Sequence, residues 1–434
     1  MPDRVTSAPS SLPHLLLPQP SLPQPSAVRR SASEPLPRTV WALLGAGGAL
    51  ALASAAAASS SALAAYFARR IITPERIKAE DEEVLAVQGE GSARRVILRA
   101  TGETRIDGEY SLFFDRGAGH VRLGPLEDFT PEESTVTRRV LAEYAGDVTK
   151  AVRARWSGYV FSSPADVGLE YEDVMLPLDV GSAPAWHVPA ADPRSTWAIM
   201  VHGRGAMRGE GLRAVTSAHA LGMPSLLISY RNDGEAPSTP DGRYGLGMTE
   251  WRDVEVAIQY ALDAGARDVV LFGWSMGGAI SLRTADSSML REHVRALVLD
   301  APVVDWVDVL AYQARLNRIP SGVGRLGQLL LGQPWGRRLT GLAAPLDFRA
   351  MDWVSRAVEL RTPTLVLHSV DDDFVPVGPS LELAKRNPEM VTLETFRHAR
   401  HTKEWNVDPE RWETTVRSWL ADVLAPRRVP GRTE

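Results

Sequence analysis

Residues 269–280, VVLFGWSMGGAI, are the stretch that decides the predicted fold. An apolar run typical of a buried strand leads into residues that favour a helix, and Ser275 stands between Gly273 and Gly277. Glycines two residues before and two residues after a serine let the strand and helix backbones approach each other closely. Ser275 is therefore either a nucleophile at the tip of a sharp turn or a small residue in an ordinary strand-to-helix turn. The pentapeptide alone does not decide, because the chain is rich in glycine and serine.

Strands and helices alternate around this stretch. The runs WAIMVHG, SLLISY, ALVLDAP and TLVLHS are apolar throughout, as in parallel strands buried on both faces, and VTLETF follows as a last strand. Between two of the strands, residues 248–265 repeat apolar positions at helical spacing. EDVMLPLD and APAWHVPA form a predicted hairpin ahead of them. The pattern predicts a doubly wound, mostly parallel α/β sheet over residues 164–425.

Two later loops contain the partners that a nucleophilic serine needs. Asp371, Asp372 and Asp373 follow one predicted strand, and His398 and His401 follow the next. The carboxyl ends of parallel strands meet at one edge of the sheet, so an acid, a base and the serine can come together there in the chain order Ser, Asp, His. Asp300, after another strand, is the alternative acid.

The segment from about residue 186 to 424 resembles the α/β-hydrolase superfamily. The resemblance rests on VHGRG after the first parallel strand, GWSMGG at the turn, LHSVDDDFVP in the acid loop and HTKEWN in the histidine loop. It is most similar to bacterial serine-aminopeptidase-like and dienelactone-hydrolase-like groups, including members with an N-terminal membrane segment. Ser369 stands where those groups usually have glycine.

The resemblance implies a role for each site residue. Ser275 would be the nucleophile, Asp372 the acid and His401 the base, with Gly273 and Gly277 at the nucleophile elbow. The alternatives are Asp371 and Asp373 as solvated or turn-capping charges, and His398 as a residue that points away from the site.

The oxyanion hole would be formed by the backbone N–H groups of Met276 and Arg204. His202 would hold that loop by hydrogen bonds. The side chain of Arg204 is predicted either to bind an anionic substrate group or to be an exposed loop arginine.

The implied activity is hydrolysis of an ester, a thioester or a small amide through an acyl-enzyme, with no metal and no organic cofactor. Residues 307–361 are predicted to form a small helical cap, which either lines an apolar acyl pocket or only covers the sheet. A catalytically silent α/β-hydrolase domain that serves as a membrane-attached binding module is the alternative function.

The N-terminus has a different composition from the rest of the chain. Residues 1–37 are rich in proline and serine and are predicted to be disordered. Residues 39–68 carry no charge, so we expect a single transmembrane helix at 38–70 that anchors the protein, on an undetermined side of the membrane. A cleaved signal peptide is the alternative.

Residues 71–163 are predicted to form a small β-rich accessory region without catalytic motifs, a spacer and cover for the domain that follows. Within it, TVTRRVLAEYAG (135–146) has apolar residues at helical spacing and is predicted to be a helix. Residues 426–434 are predicted to be a C-terminal tail. The net charge of -5 gives no basic surface for nucleic acid, and the absence of cysteine excludes disulfides and thiolate chemistry.

Overall fold

The strands of the described residues form two sheets of different construction. The computed structural model describes residues 58–75, 78–191 and 193–425. The first sheet is a closed barrel in the order β1-β2-β5-β4-β3-β6, and the second has eight strands in the order β14-β13-β12-β11-β9-β10-β8-β7.

The strands have the following bounds: β1 Glu82–Gln88, β2 Arg95–Arg99, β3 Tyr110–Phe114, β4 Gly119–Thr130, β5 Thr135–Ala145, β6 Arg153–Ser157, β7 Glu172–Leu178, β8 Gly181–Val188, β9 Thr196–Val201, β10 Ser225–Ile228, β11 Asp268–Trp274, β12 Val294–Asp300, β13 Thr364–Ser369 and β14 Val391–Phe396. The helices are α1 at 58–72, α2 Leu212–Ala220, α3 Trp251–Asp263, α4 Met276–Ser287, α5 Trp306–Leu316, α6 Ser321–Gly332, α7 Arg337–Thr340, α8 Gly378–Arg386, α9 Glu404–Val407 and α10 Pro409–Val423.

The large sheet has the predicted α/β architecture. Strands β9 to β14 pair in parallel, and the β7–β8 hairpin adds two antiparallel strands at one edge. Successive side chains of β11 enter opposite cores: Val269 and Leu271 pack on one face, and Val270 and Phe272 on the other. Both faces are therefore covered, which is why these strands read as continuous apolar runs in the sequence.

Helices cover this sheet on both sides. The face that receives Val269 and Leu271 packs against α3, α4, α5 and α8, and the opposite face packs against α2 and α10. Helices α5, α6 and α7 fall in the stretch 307–361, where a helical cap is predicted.

The barrel lies in the predicted β-rich region, but its strand β5 is not the predicted helix. Val136, Arg138 and Val140 alternate inward along β5, which is the period of a strand. The sequence hides this alternation because its middle inward position is an arginine. The spacing of Val136, Val140 and Tyr144 then resembles a helix, and the prediction for 135–146 is wrong.

Arg138 is fully buried inside the barrel and pairs with backbone carbonyl groups instead of a carboxylate. Its guanidinium donates to the carbonyl oxygens of Thr104 at 3.0 Å, Gly108 at 3.0 Å and Gly124 at 2.9 Å, and also to that of Ile106. Burial lowers the pKa of Arg138 to about 10, so it remains charged at neutral pH. Arg138 thereby fixes the shape of the loop 104–108.

The N-terminal helix α1 packs against the rest of the described chain through one face. Ala64, Ala68 and Ile72 on that face are buried. Residues 38–57 of the predicted transmembrane segment lie outside the described residues, as do the predicted disordered segment 1–37 and the tail 426–434. No helix among the described residues has the length and apolar character needed to cross a bilayer.

We expect Arg138→Met to lower the free energy of unfolding by about 3 kcal/mol, because four buried carbonyl groups lose their donors. Arg139→Met is the matched control, since the neighbouring Arg139 is half exposed and pairs with Glu127 at the surface. Urea unfolding followed by tryptophan fluorescence measures both variants. Equal destabilisation by the two substitutions would show that the buried guanidinium does not organise the barrel.

Candidate active site

Ser275 lies in the tight turn between β11 and α4. Its backbone has φ 52° and ψ −114°, in a region that non-glycine residues rarely adopt. A Cβ on Gly273 would lie 2.6 Å from the carbonyl oxygen of Gly277, and a Cβ on Gly277 would lie 2.0 Å from that of Val201. Both predicted elbow glycines therefore have a steric reason: only without side chains can β11, α4 and the end of β9 approach this closely.

The structure brings the three predicted catalytic residues into one hydrogen-bonded chain. His401 Nε2 is 2.8 Å from Ser275 Oγ, and His401 Nδ1 is 2.8 Å from Asp372 Oδ2. A carboxylate only accepts, so Nδ1 carries the proton and Nε2 is free to accept from the serine hydroxyl.

Asp372 is held from several directions. Its Oδ1 accepts the backbone N–H groups of Phe374 at 2.7 Å and Val375 at 2.8 Å, and His368 Nε2 lies 3.3 Å from its Oδ2. Burial opposes the charge, but His401 and the hydrogen bonds outweigh it and hold the pKa of Asp372 well below its ordinary value. The carboxylate thus remains ionised beside His401.

The pKa of His401 is shifted in the opposite direction. Burial disfavours the imidazolium, but the charge of Asp372 and its hydrogen bond outweigh burial and raise the pKa of His401 above its ordinary value. Stabilising the imidazolium makes His401 a stronger base toward Ser275.

The alternative base and the alternative acids lie outside the hydrogen-bonded chain of Ser275, His401 and Asp372. His398 is exposed, has φ 65°, and donates its backbone N–H to Asp371 Oδ2 at 2.7 Å. Asp373 is exposed near Arg400. Asp300 is buried, and its Oδ2 accepts from Trp412 Nε1 at 2.7 Å.

The loop after β9 is braced at several points. His202 Nε2 lies 3.0 Å from Asp233 Oδ2, as expected for a histidine that holds the loop. The N–H of Gly203 donates to Glu210 Oε2 at 2.7 Å, and the hydroxyl of Tyr230 donates to the carbonyl oxygens of His202 and Gly203 at 3.0 Å. Within the described chain the backbone N–H groups of Arg204 and Met276 make no hydrogen bond, so both remain available to a ligand.

The side chain of Arg204 differs from both alternatives predicted for it. Its guanidinium donates to the carbonyl oxygens of Arg70 and Ile71 at 2.6 Å each and to that of Thr73 at 3.3 Å. Arg204 therefore caps the C-terminus of α1. Sequence reasoning could not find this contact, because the helix lies more than 130 positions earlier in the chain.

The barrel contacts the histidine loop, a connection that the sequence analysis missed. The side-chain amide of Asn406 donates to the carbonyl oxygens of Glu109 at 2.7 Å and Gly158 at 3.0 Å, while its oxygen accepts from Arg213. The N–H of Glu109 donates to the carbonyl oxygen of Asn406 at 2.9 Å. Lys403, two residues after His401, pairs with Glu103 of the barrel. The only signal in the sequence was a cluster of polar residues in HTKEWN.

A buried carboxyl pair lies behind the same loop. Glu404 Oε1 accepts the N–H of Ser369 at 2.8 Å. Burial and the neighbouring Asp300 raise the pKa of Glu404 well above its ordinary value. Asp300 and Glu404 thereby contribute to the packing under the histidine loop.

The chain belongs to the alpha/beta hydrolase family, whose model matches residues 198–415, half of the chain. A second model, described as a domain of unknown function (DUF8805), matches residues 83–157, which is the barrel. No curated protein matches the chain in sequence.

Several solved structures are similar in fold. An esterase from Pyrococcus furiosus is 18% identical, with a TM-score of 0.46 over 60% of this chain and 94% of its own. A CIB-like hydrolase from Thermoplasma acidophilum is 16% identical, with a TM-score of 0.41 over 59% of this chain and 100% of its own. An esterase from Exiguobacterium antarcticum is 16% identical, with a TM-score of 0.39 over 57% of this chain and 99% of its own.

Proposed function

We propose that this protein is a serine hydrolase that cleaves carboxylic esters through an acyl-enzyme. The observation that carries the proposal is the hydrogen-bonded chain Asp372–His401–Ser275, with 2.8 Å at each link. The strained backbone of Ser275 and the two unpaired amides beside it support the proposal. Thioesters and small amides are the other acyl derivatives that the same chemistry can cleave.

The proposed reaction has two half-reactions. His401 Nε2 takes the hydroxyl proton while Ser275 Oγ bonds to the carbonyl carbon, and the N–H groups of Met276 and Arg204 bind the resulting oxyanion. The intermediate collapses, the ester C–O bond breaks, and the imidazolium returns its proton to the departing alcohol. Water then attacks the acyl-enzyme with the same base, releasing the acid and restoring Ser275.

A fluorophosphonate probe tests the nucleophile, because it reacts only with an activated serine. We expect the wild-type protein to be labelled, Ser275→Ala to be unlabelled, and ester hydrolysis by that variant to fall by roughly 10⁴-fold or more. Ser321→Ala, at an exposed serine of α6, is the control and retains labelling.

The same probe separates the enzyme from a silent binding module. An unlabelled wild-type protein, or equal labelling after Ser275→Ala, would contradict the proposed hydrolase function and favour the binding module.

The raised pKa of His401 predicts the pH dependence of the rate. The base acts only when neutral, so kcat/KM should rise with pH through a midpoint above 6.5, the ordinary histidine value. Asp372→Asn removes the charge that raises this pKa, so the midpoint should move to lower pH and the rate should fall by about 10⁴-fold.

Asp371→Asn is the matched control for this profile. It neutralises the adjacent carboxylate, which accepts a hydrogen bond from the backbone N–H of His398. The assignment of Asp372 fails if both variants leave the midpoint in the same place.

We also propose that residues 39–57, the part of the uncharged stretch that precedes α1, attach the enzyme to a membrane as a single-pass anchor. This segment is shorter than the helix predicted at 38–70, because residues 58–70 belong to α1, which packs against the rest of the described chain through Ala64 and Ala68. The full chain should remain with the membrane fraction after a carbonate wash, and a chain beginning at residue 58 should be released. These 19 residues carry no charge, and their number is close to the about 20 that a helix needs to cross a bilayer core. Release of the intact full chain would exclude the anchor, and a shortened product would indicate a cleaved signal.

A further inference from the structure

An apolar cavity of about 370 Å³ lies between α1 and the cap helices α5 and α6. Each helix contributes apolar side chains to its walls, among them Phe67 and Ile71 from α1, Val309 and Leu310 from α5, and Val323 and Leu331 from α6. The volume is at the lower end of the range of about 300–1,000 Å³ found for small-molecule sites. Polar side chains also line the cavity, namely Arg70, Glu75, Arg204, Gln313, Asn317 and Gln328. The apolar part of the wall suits a hydrocarbon chain, which has no hydrogen-bonding groups to satisfy.

The cavity wall is connected to the proposed catalytic residues at two points. Phe374, in its wall, packs against the imidazole of His401 with ring centroids 5.1 Å apart. Arg204, also in its wall, directly follows Gly203, and a Cβ built on Gly203 would lie 3.2 Å from Ser275 Cβ. Neither Ser275 nor His401 lines the cavity, but the cavity wall is one residue away from His401 through Phe374 and from Ser275 through the loop of Arg204.

The helices that form the walls are tied to the loops of the site. Arg204 of the oxyanion loop caps the last turn of α1. On the other side, the hydroxyl of Tyr312 in α5 donates to the carbonyl oxygen of Asp372 at 3.3 Å, and the side-chain amide of Gln313 donates to that of Phe374 at 2.8 Å. These bonds fix the position of the walls relative to Ser275 and His401.

We propose that this cavity holds an unbranched apolar chain of the ester substrate and that α1 is part of the binding site. The inference rests on the proposed hydrolase function and adds the substrate class. It assigns a specificity role to a helix that precedes both matched family regions. The chain belongs to either the acyl or the alcohol half of the ester, and the two are distinguished by substrate series.

Gly327 of α6 provides the first variant. It is buried in the cavity wall, and a Cβ there would meet only the carbonyl oxygen of Ala64, at an ordinary contact distance of 3.5 Å. The Cβ of Gly327→Leu therefore fits without a clash, and we expect the rest of the side chain to take up space between α6 and α1, where the cavity lies. Gly322→Leu is the matched control, because Gly322 is an exposed residue of the same helix with open space around it.

Phe67 of α1 provides a variant with the opposite effect. Phe67→Ala removes an aromatic ring from the wall and enlarges the cavity. Tyr66→Ala is its control, since the neighbouring Tyr66 is 57% exposed and does not line the cavity.

The experiment measures kcat/KM for p-nitrophenyl acetate, butyrate, octanoate and dodecanoate, and in parallel for acetate esters of alcohols of the same lengths. In the series that uses the cavity, the wild-type value should rise by about fourfold per methylene, equivalent to about 0.8 kcal/mol, until the cavity is full. Gly327→Leu should lower the ratio of kcat/KM for the octanoate to kcat/KM for the acetate by about tenfold or more. If the alcohol half uses the cavity, the same decrease is expected for the ratio between the octyl and the shortest acetate ester. Phe67→Ala should move the optimum to a longer chain, and both controls should keep the wild-type ratios.

The outcomes separate the two proposals. If the wild-type protein neither hydrolyses any ester nor reacts with the fluorophosphonate, the proposed hydrolase function is wrong, and this inference fails with it. An active wild-type enzyme whose chain-length ratios are unchanged in both Gly327→Leu and Phe67→Ala overturns the inference alone. Thermal unfolding of each variant establishes that it is folded before its ratio is used.

Discussion

The close approach of α4 to the end of β9 is the constraint on which the site depends. Gly277 lies so near the carbonyl oxygens of Val201 and His202 that no side chain fits between them. This contact brings the turn containing Ser275 against the loop containing Arg204. The sheet supplies the rest of the geometry, because the loops after β13 and β14 leave the same edge and bring Asp372 and His401 to the serine.

Burial makes the electrostatics of this arrangement effective. Asp372 keeps its charge in a buried position because it accepts hydrogen bonds from the backbone N–H groups of Phe374 and Val375 and has the imidazoles of His401 and His368 beside it. That charge in turn raises the proton affinity of His401. The contact between Asp372 and His401 contributes to both pKa shifts, and its contribution would weaken if solvent screened the pair.

Much of this arrangement could be predicted from the sequence, because it depends on local patterns. Strands buried on both faces are uniformly apolar, the elbow needs its glycines, and the acid and histidine loops follow their strands directly. The failures have a different cause. Arg138 occupies an inward position of β5 and conceals the alternation, since its partners are carbonyl groups from distant loops. The contacts of Arg204 with α1 and of Asn406 with the barrel also join residues far apart in the chain, which no local pattern encodes.

The bonds of Asn406 also determine how the chain can be divided. The alpha/beta hydrolase match begins at residue 198, well after the barrel ends. A protein cut at that point would nevertheless lose the partners of the Asn406 amide and of Lys403, both within five residues of His401. It would also lack α1, whose carbonyl groups anchor Arg204. The smallest fragment that retains the complete support of the site therefore begins at α1, and the region matched in sequence is smaller than the physical unit.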